Sequence, residues 1–240
     1  MDEIIKKFAS DEVYYSDYSF VTNSQLGLIK RSPATYQHYR ENPSDRPMTK
    51  ALNFGRAFHM CMLEHDKYEK EVVVEPDVNK RTKVGKEKYQ EFLTLHDGMT
   101  ILSLDEHESL KGMRKKLTSS IEAMELLSGG LSEQVNVWND PNSNVPCKGK
   151  ADYWNKDRNI LVDIKTTQDS SPEGFIKSAY KYGYDRQAAF YADGFGVDQF
   201  WFIVIEKSAP YNMAIYSCSE EFMEEGREKY RKLLDTYSLF

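Results

Sequence analysis

Residues 147–167 read CKGKADYWNKDRNILVDIKTT, and the class of fold can be inferred from this segment. Its two ends, residues 147–155 and 159–167, are short runs rich in β-branched and aromatic side chains, which favour strands. The polar residues between them, 155–159, are typical of a turn. The stretch therefore predicts a β-hairpin.

Outward from the hairpin, the C-terminal half shows the same short β-type runs interleaved with helical patterns. Another strand precedes the hairpin, and two strands and two helices follow it, giving the order β-β-β-α-β-β-α. This order predicts an α/β or α+β fold with helices packed on a sheet. The predicted elements are a strand at 133–139, a helix at 172–195, strands at 199–207 and 211–218, and an amphipathic helix at 219–237.

The N-terminal half has apolar residues at helical spacing and reads mainly as helix. VVVEPDVNKRTKVGKE, residues 72–87, predicts a short strand followed by a basic loop. No repeat or Gly/Ser linker marks a boundary, so we expect one domain over 1–240, mainly helical over 1–130 and sheet-based over 131–240. The predicted helices span 24–30, 33–40, 51–68, 86–96 and 105–127.

Composition narrows the class of protein. The three cysteines, Cys61, Cys147 and Cys218, include no C-x-x-C pair, which argues against a disulfide framework and against a cysteine-only zinc or iron–sulfur site. We expect a soluble, unprocessed, cytoplasmic protein, since no apolar run approaches the ~20 residues of a membrane span. The net charge of -6 disfavours general DNA binding, but local carboxylates are what a divalent cation requires.

The candidate chemistry lies in the hairpin. Asp163 and Lys165 are two apart in a predicted strand, so both side chains project from one face, although an exposed ion pair would look the same. Asp152 lies on the preceding strand, where the turn brings it within a few residues' register of Asp163. Two converging carboxylates are better explained by a divalent cation than by an unassisted fold.

Other candidate residues are ordinary when taken singly. Gln187 and Tyr191 are four apart and share a helical face, as many helix surface pairs do. His59 follows Gly55 in the apolar helical segment FGRAFHMCML, where a histidine is usually a hydrogen-bonded core residue.

Taken together and in this order, G-x-x-x-H, Asp, D-x-K-T and Q-x-x-x-Y resemble the signature of RecB-type nucleases in the PD-(D/E)XK superfamily. The chain looks most like the C-terminal exonuclease domain of RecE and its phage-encoded relatives. KRTKVGKE, residues 80–87, is similar to a basic segment of those proteins. The resemblance covers residues 26–191 best and implies a restriction-endonuclease-like core with a mixed central sheet flanked by helices.

The resemblance also implies site roles. His59, Asp152 and Asp163, with the Ile164 carbonyl, correspond to metal ligands, and Lys165 corresponds to the catalytic lysine. Three further assignments follow: Glu133 matches an acidic position before the aspartate motif, with an exposed strand-end acid as the alternative, and Gln187 and Tyr191 would orient DNA or the lysine. The expected ion is Mg²⁺, with Mn²⁺ possible because histidine is a softer ligand, and the iron–sulfur cluster of some relatives is excluded.

The function implied is a DNA exonuclease that degrades linear double-stranded DNA from the 5′ end and leaves 3′ overhangs for recombination. Relatives act beside a single-strand annealing protein and form ring-like homo-oligomers, so both are expectations here. The alternatives are a structure- or site-specific endonuclease and a non-catalytic DNA-binding relative. A solvated charged loop is the alternative to DNA contacts in the basic segment, whose candidate residues are Lys80, Arg81, Lys83 and Lys86, followed by Lys88.

Overall fold

The computed structural model describes residues 2–8, 10–45 and 49–239. The α-helices are α1 (Asp2–Lys7), α2 (Asp11–Ser16), α3 (Asn23–Arg31), α4 (Pro33–Glu41), α5 (Lys50–Leu63), α6 (His65–Glu71), α7 (Lys83–Leu95), α8 (Leu104–Thr118), α9 (Ile121–Leu126), α10 (Pro172–Tyr182), α11 (Tyr184–Phe195) and α12 (Glu220–Tyr237). The strands are β1 (Val72–Val74), β2 (Thr100–Leu102), β3 (Leu131–Asn139), β4 (Pro146–Asn155), β5 (Ile160–Thr167), β6 (Gln199–Glu206) and β7 (Met213–Ser217).

A five-stranded mixed sheet in the order β3-β4-β5-β6-β7 forms the centre of the molecule. β4 and β5 are the predicted hairpin, paired antiparallel from Tyr153↔Val162 to Asn155↔Ile160. β5 and β6 pair in parallel, and α10 and α11 form the crossover that a parallel connection requires. The predicted mixed sheet flanked by helices is confirmed. β1 and β2 make a separate two-stranded parallel sheet.

Helices cover both faces of the central sheet, which explains the near-continuous apolar run of the central strands. Along β5, Leu161 packs into one core with residues of α11 and α12, whereas Val162 and Ile164 pack into another core with residues of α5 and α8. Odd-numbered residues of β5 therefore face the α11 side of the sheet. Asp163 and Lys165 are odd-numbered, so their side chains lie on that side of the sheet too.

Three predicted helices are each broken in two. The helix expected over 172–195 breaks at Gly183, whose φ of 73° lies in the left-handed region that glycine adopts at least cost. The helix expected over 105–127 is two helices in the structure: α8 ends at Thr118, and the Ser120 side chain caps the start of α9. The helix expected over 51–68 breaks at Glu64 between α5 and α6. Helical periodicity continues across such breaks, so it does not reveal them.

The predicted basic loop is partly helical, which corrects the expectation of a loop across residues 80–88. α7 starts at Lys83 because the Thr82 hydroxyl accepts a hydrogen bond from the Gly85 N–H at 3.0 Å and caps the helix. A Cβ on Gly85 would lie 2.0 Å from the Asn79 carbonyl oxygen, so this tight turn requires glycine.

Among the described residues, no helix has the length and apolar character needed to cross a bilayer.

Candidate active site

The site forms where β4 and β5 separate. Their ladder stops at Tyr153↔Val162, and the next residues toward the opening are Asp152 and Asp163. Past that point the Ile164 N–H donates to Asp152 Oδ2 at 2.8 Å, so a side chain bridges the two strands where backbone pairing ends. The observed register of β4 and β5 therefore places Asp152 and Asp163 opposite one another at this opening.

Three potential ligands from three elements converge beside the opening: His59 of α5, Glu133 of β3 and Asp152 of β4. One donor atom of each lies within 4.8 Å of the other two. His59 Nδ1 is 3.3 Å from Asp152 Oδ1 and 4.0 Å from Glu133 Oε1. We call these residues the three-donor cluster. One imidazole and two carboxylates are a donor set suited to Mn²⁺ and acceptable to Mg²⁺.

The backbone of Glu133 is unusual. Its φ is 52°, in the left-handed region that non-glycine residues seldom adopt. The β3–β4 ladder pairs Ser132 with Tyr153 and Gln134 with Ala151, which leaves Glu133 opposite Asp152 but outside the ladder. Such backbone strain is concentrated at functional sites, where surrounding contacts hold it in place.

Asp163 and Lys165 lie next to the three-donor cluster. Lys165 Nζ is 2.5 Å from Asp163 Oδ1, and the Gln187 side-chain amide donates to Asp163 Oδ2 at 2.7 Å. The Asp163 side chain is 2% exposed and the Lys165 side chain 16%, so the carboxylate is removed from water and the lysine is partly buried. Both Asp163 oxygens contact protein groups and Asp163 is not part of the three-donor cluster. Its predicted role as a metal ligand, with the Ile164 carbonyl, stays a prediction.

Burial and the closeness of several acids shift the pKa values of the residues in the site. Burial, reinforced by the Asp152 charge, raises the pKa of Glu133 to about 7 and that of Asp163 to about 6. Burial would also raise the pKa of Asp152, but the adjacent His59 outweighs it and holds that pKa low. Burial lowers the pKa of His59, but the Asp152 carboxylate more than compensates and raises it to about 9. Ionising Glu133 and Asp163 is costly because they are buried and close to the Asp152 charge. A bound cation would offset this cost, so the donor set fits a divalent metal.

Replacing Glu133 by glutamine is expected to stabilise the metal-free protein at pH 8 by on the order of 1–3 kcal/mol, with no gain at pH 4. A raised acid pKa means that the folded state holds a proton between about pH 4.5 and 7 that the unfolded state releases. Wild-type stability therefore falls across this window, and the variant escapes that cost. Urea unfolding at both pH values measures it, with the exposed Glu228→Gln on α12 as control.

A divalent cation should reverse the order of stability of the wild type and the Glu133→Gln variant. Millimolar Mg²⁺ is expected to raise the melting temperature of the wild type more than that of Glu133→Gln, because a ligand stabilises the state that binds it. Equal shifts in both proteins would show that Glu133 takes no part in holding the ion.

Tyr191 and Lys150 complete the surroundings. The Tyr191 ring packs against β4, since a Cβ on Gly149 would lie 3.1 Å from Tyr191 Cε1, and burial raises the Tyr191 pKa. Lys150 Nζ pairs with Asp11 of α2 and lies 3.7 Å from Glu133 Oε2. Sequence reasoning missed Asp11 at the site, because no local pattern connects α2 with a strand so distant in the chain.

The predicted DNA-contact residues differ in their environments. Lys80 is paired with Glu75 at 2.7 Å and lies over the Tyr89 ring, 3.7 Å from its centroid. Lys83, 90% exposed, is 4.0 Å from Glu87 in a pair that solvent weakens. Arg81 and Lys86 are exposed, and within the described part of the chain neither has an assigned ion-pair partner.

Comparison with known proteins shows the family of this chain. Residues 22–239 match the family model described as a PDDEXK-like domain of unknown function (DUF3799). The solved structure of a candidate exonuclease from Eubacterium rectale is similar at a TM-score of 0.67 and 13% identity, covering 95% of this chain and 84% of that one. This likeness shows the fold. No curated protein matches the chain.

Two further solved structures are more distant. A phage-related exonuclease from Haemophilus somnus 129PT aligns at a TM-score of 0.34 and 15% identity, over 76% of this chain and 92% of that one. An alkaline exonuclease from Laribacter hongkongensis aligns at a TM-score of 0.37 and 11% identity, over 95% and 94%.

Proposed function

Because the chain belongs to the PDDEXK-like family matched over residues 22–239, we propose that it is a metal-dependent DNA exonuclease. The observation that carries the proposal is the three-donor cluster beside the ion pair of the buried Asp163 with Lys165. Metal-binding donors adjacent to a charged lysine are what hydrolysis of a phosphodiester requires, since an attacking water must be activated and negative charge compensated.

In this proposal the ion is Mg²⁺, with Mn²⁺ as a substitute, held by His59, Glu133 and Asp152 together with Asp163 and the Ile164 carbonyl. A bound divalent cation would lower the pKa of a coordinated water and neutralise charge on the phosphate. His59 must lose its proton to act as a ligand. The hydrogen bond from the Ile164 N–H fixes one Asp152 oxygen and leaves the other directed at His59.

Lys165 is proposed as the catalytic lysine. Burial lowers its pKa, but Asp163 and Asp152 outweigh burial and raise the pKa above the ordinary value, so its ammonium is charged at neutral pH. A charged lysine next to the scissile phosphate can neutralise developing charge and hold the attacking water by hydrogen bonding. Gln187 fixes the Asp163 carboxylate and thereby the position of Lys165. Tyr191 supports β4 from behind.

The proposed substrate is linear double-stranded DNA, degraded from the 5′ end to leave 3′ overhangs for recombination. Action beside a single-strand annealing protein, a ring-like homo-oligomer and a cytoplasmic setting in a bacterium or its phage belong to the same proposal. They are supported by the resemblance to RecE-type exonucleases.

Linear duplexes labelled at either the 5′ or the 3′ end test the activity and its direction. In Mg²⁺ we expect release of the 5′ label as short products at the earliest times, and in EDTA no release. Closed circular duplex should stay intact, because an exonuclease needs an end. Cleavage of the circle would show an endonuclease instead, and no cleavage of any substrate would leave a non-catalytic relative.

DNA binding by the basic segment, residues 80–88, is a separate prediction. Replacing Arg81 and Lys83 together by alanine should weaken DNA binding and reduce the salt slope of log affinity by about one unit per lost phosphate contact, since fewer counterions are released. Fluorescence anisotropy across a salt series, with Ca²⁺ in place of Mg²⁺ to block turnover, measures the slope.

The matched control replaces Lys115 and Lys116, two exposed lysines in the last turn of α8. This control removes the same charge from another surface and should leave the slope unchanged. A parental slope in the Arg81/Lys83 variant would assign DNA contacts to other cations, such as Arg56 or Lys177.

A further inference from the structure

Two tyrosines lie between the partly buried Lys165 of the site and the protein surface. The Tyr184 ring faces Lys165, whose Nζ lies 5.0 Å from the ring centroid. The Tyr182 ring is the next one outward, with its centroid 5.9 Å from that of Tyr184 and the two planes inclined by 31°. Tyr182 is 59% exposed, whereas Tyr184 is partly buried. A short aromatic path therefore runs from Lys165 to the surface.

The break between α10 and α11 creates this path. Gly183 adopts a left-handed conformation between the two tyrosines, so Tyr182 ends one helix and Tyr184 begins the next. Tyr184 is held in place by Phe202, with centroids 5.8 Å apart, and by Phe175 at 6.2 Å. The Tyr184 ring (the inner ring) is therefore fixed by packing on the core, whereas the Tyr182 ring (the outer ring) lies outside the core.

The chemistry around the outer ring suits a nucleic-acid strand. Lys181 Nζ lies 5.2 Å from the Tyr182 ring centroid, and Lys177 is exposed one turn earlier on α10. Exposed aromatic faces combined with basic side chains are the features that bind single-stranded nucleic acid, in which bases stack on rings and cations contact phosphates. This path also ends at the residue proposed to act on the scissile phosphate.

We propose that Tyr182 and Tyr184 form a stacking platform for unpaired bases at the end of the DNA strand being cleaved. The inference rests on the proposed nuclease function and specifies the form of its substrate. A base inside a duplex is already stacked on both sides and cannot use an additional ring. The platform therefore favours an end that is single-stranded where it meets the site, and a duplex would supply such an end when its terminal base pairs open.

Tyr182→Ala tests the outer ring. Its affinity for a single-stranded DNA oligonucleotide, measured by fluorescence anisotropy in Ca²⁺, should fall by about 5- to 100-fold, the range for loss of one base–aromatic stack. Tyr182→Phe should restore binding, because stacking needs the ring and not the hydroxyl. The control is Tyr180→Ala, an exposed tyrosine of the same helix whose ring lies against Phe222 and the Lys229 ammonium.

Abasic oligonucleotides identify the stacking partner. A set of strands with one abasic nucleotide at successive positions from the end should include a position at which the wild type loses the affinity that Tyr182→Ala loses. At that position the variant should lose no more, since both changes remove the same contact. Parental affinity in Tyr182→Ala, or equal losses in Tyr182→Ala and Tyr180→Ala, would overturn the platform.

Parallel assays of cleavage separate this inference from the proposed function. In Mg²⁺ the Tyr182→Ala variant should show a raised KM on frayed or single-stranded ends and a kcat close to wild type. A wild type that cleaves normally beside an unaffected Tyr182→Ala would reject the platform alone. A wild type that binds strands through Tyr182 but cleaves nothing would reject hydrolysis and retain the platform.

Discussion

Asp163→Asn is expected to reduce DNA cleavage by about 100- to 1,000-fold, the scale of losing one group that stabilises charge in a preorganised site. The substitution keeps the shape of the side chain and one carbonyl-type oxygen, but it removes the negative charge proposed to hold a cation and to fix Lys165. Initial rates on end-labelled linear duplex in Mg²⁺ measure the loss.

The fold should survive this change. Burial and Asp152 raise the pKa of Asp163 to about 6, so its ionised form costs stability at neutral pH, and removing that charge offsets the loss of the Lys165 ion pair. The thermal unfolding temperature at pH 8 should therefore stay within a few degrees of wild type. Inactivity together with an unfolded chain would instead give Asp163 a structural role.

Lys165→Ala should slow cleavage by about 100-fold or more while DNA affinity stays close to wild type. The ammonium is partly buried at the site and charged at neutral pH, and its loss removes the group proposed to act on the reacting phosphate or water. Single-turnover rates at saturating enzyme isolate this step from binding. Near-parental turnover in the variant would refute the catalytic role.

Lys165→Arg distinguishes charge from proton transfer. Arginine keeps a positive charge but stays protonated in proteins, so partial activity would indicate that neutralising the phosphate is the main role. Activity as low as that of Lys165→Ala would indicate that the compact, titratable ammonium is needed.

Local patterns sufficed to predict the architecture around the hairpin. The alternation of side chains along a strand predicted that Asp163 and Lys165 share a face, and in the structure their charged atoms pair at 2.5 Å. A turn of a few polar residues predicted that Asp152 returns beside Asp163, and the β4–β5 register ends just before these two residues. Both inferences depend only on backbone periodicity and a short connection, which the sequence records directly.

Features that depend on tertiary structure could not be predicted in this way. The Gly183 break is invisible to helical periodicity, yet it orients Tyr184 toward Lys165. The left-handed backbone of Glu133 arises from the gap in the β3–β4 ladder. The pairing of Asp11 with Lys150 joins chain segments that no local signal connects.

We propose that a divalent cation, held at the three-donor cluster and Asp163, enables this chain to hydrolyse DNA. The most direct test is the initial rate of cleavage of end-labelled linear duplex as Mg²⁺ is titrated from excess EDTA to millimolar concentration, for the wild type and for Asp152→Asn. We expect no cleavage in EDTA, a rate that rises to saturation with Mg²⁺ in the wild type, and little or no cleavage by the variant at any concentration. Cleavage by the wild type that is undiminished in EDTA, or a variant whose titration matches the wild type, would contradict it.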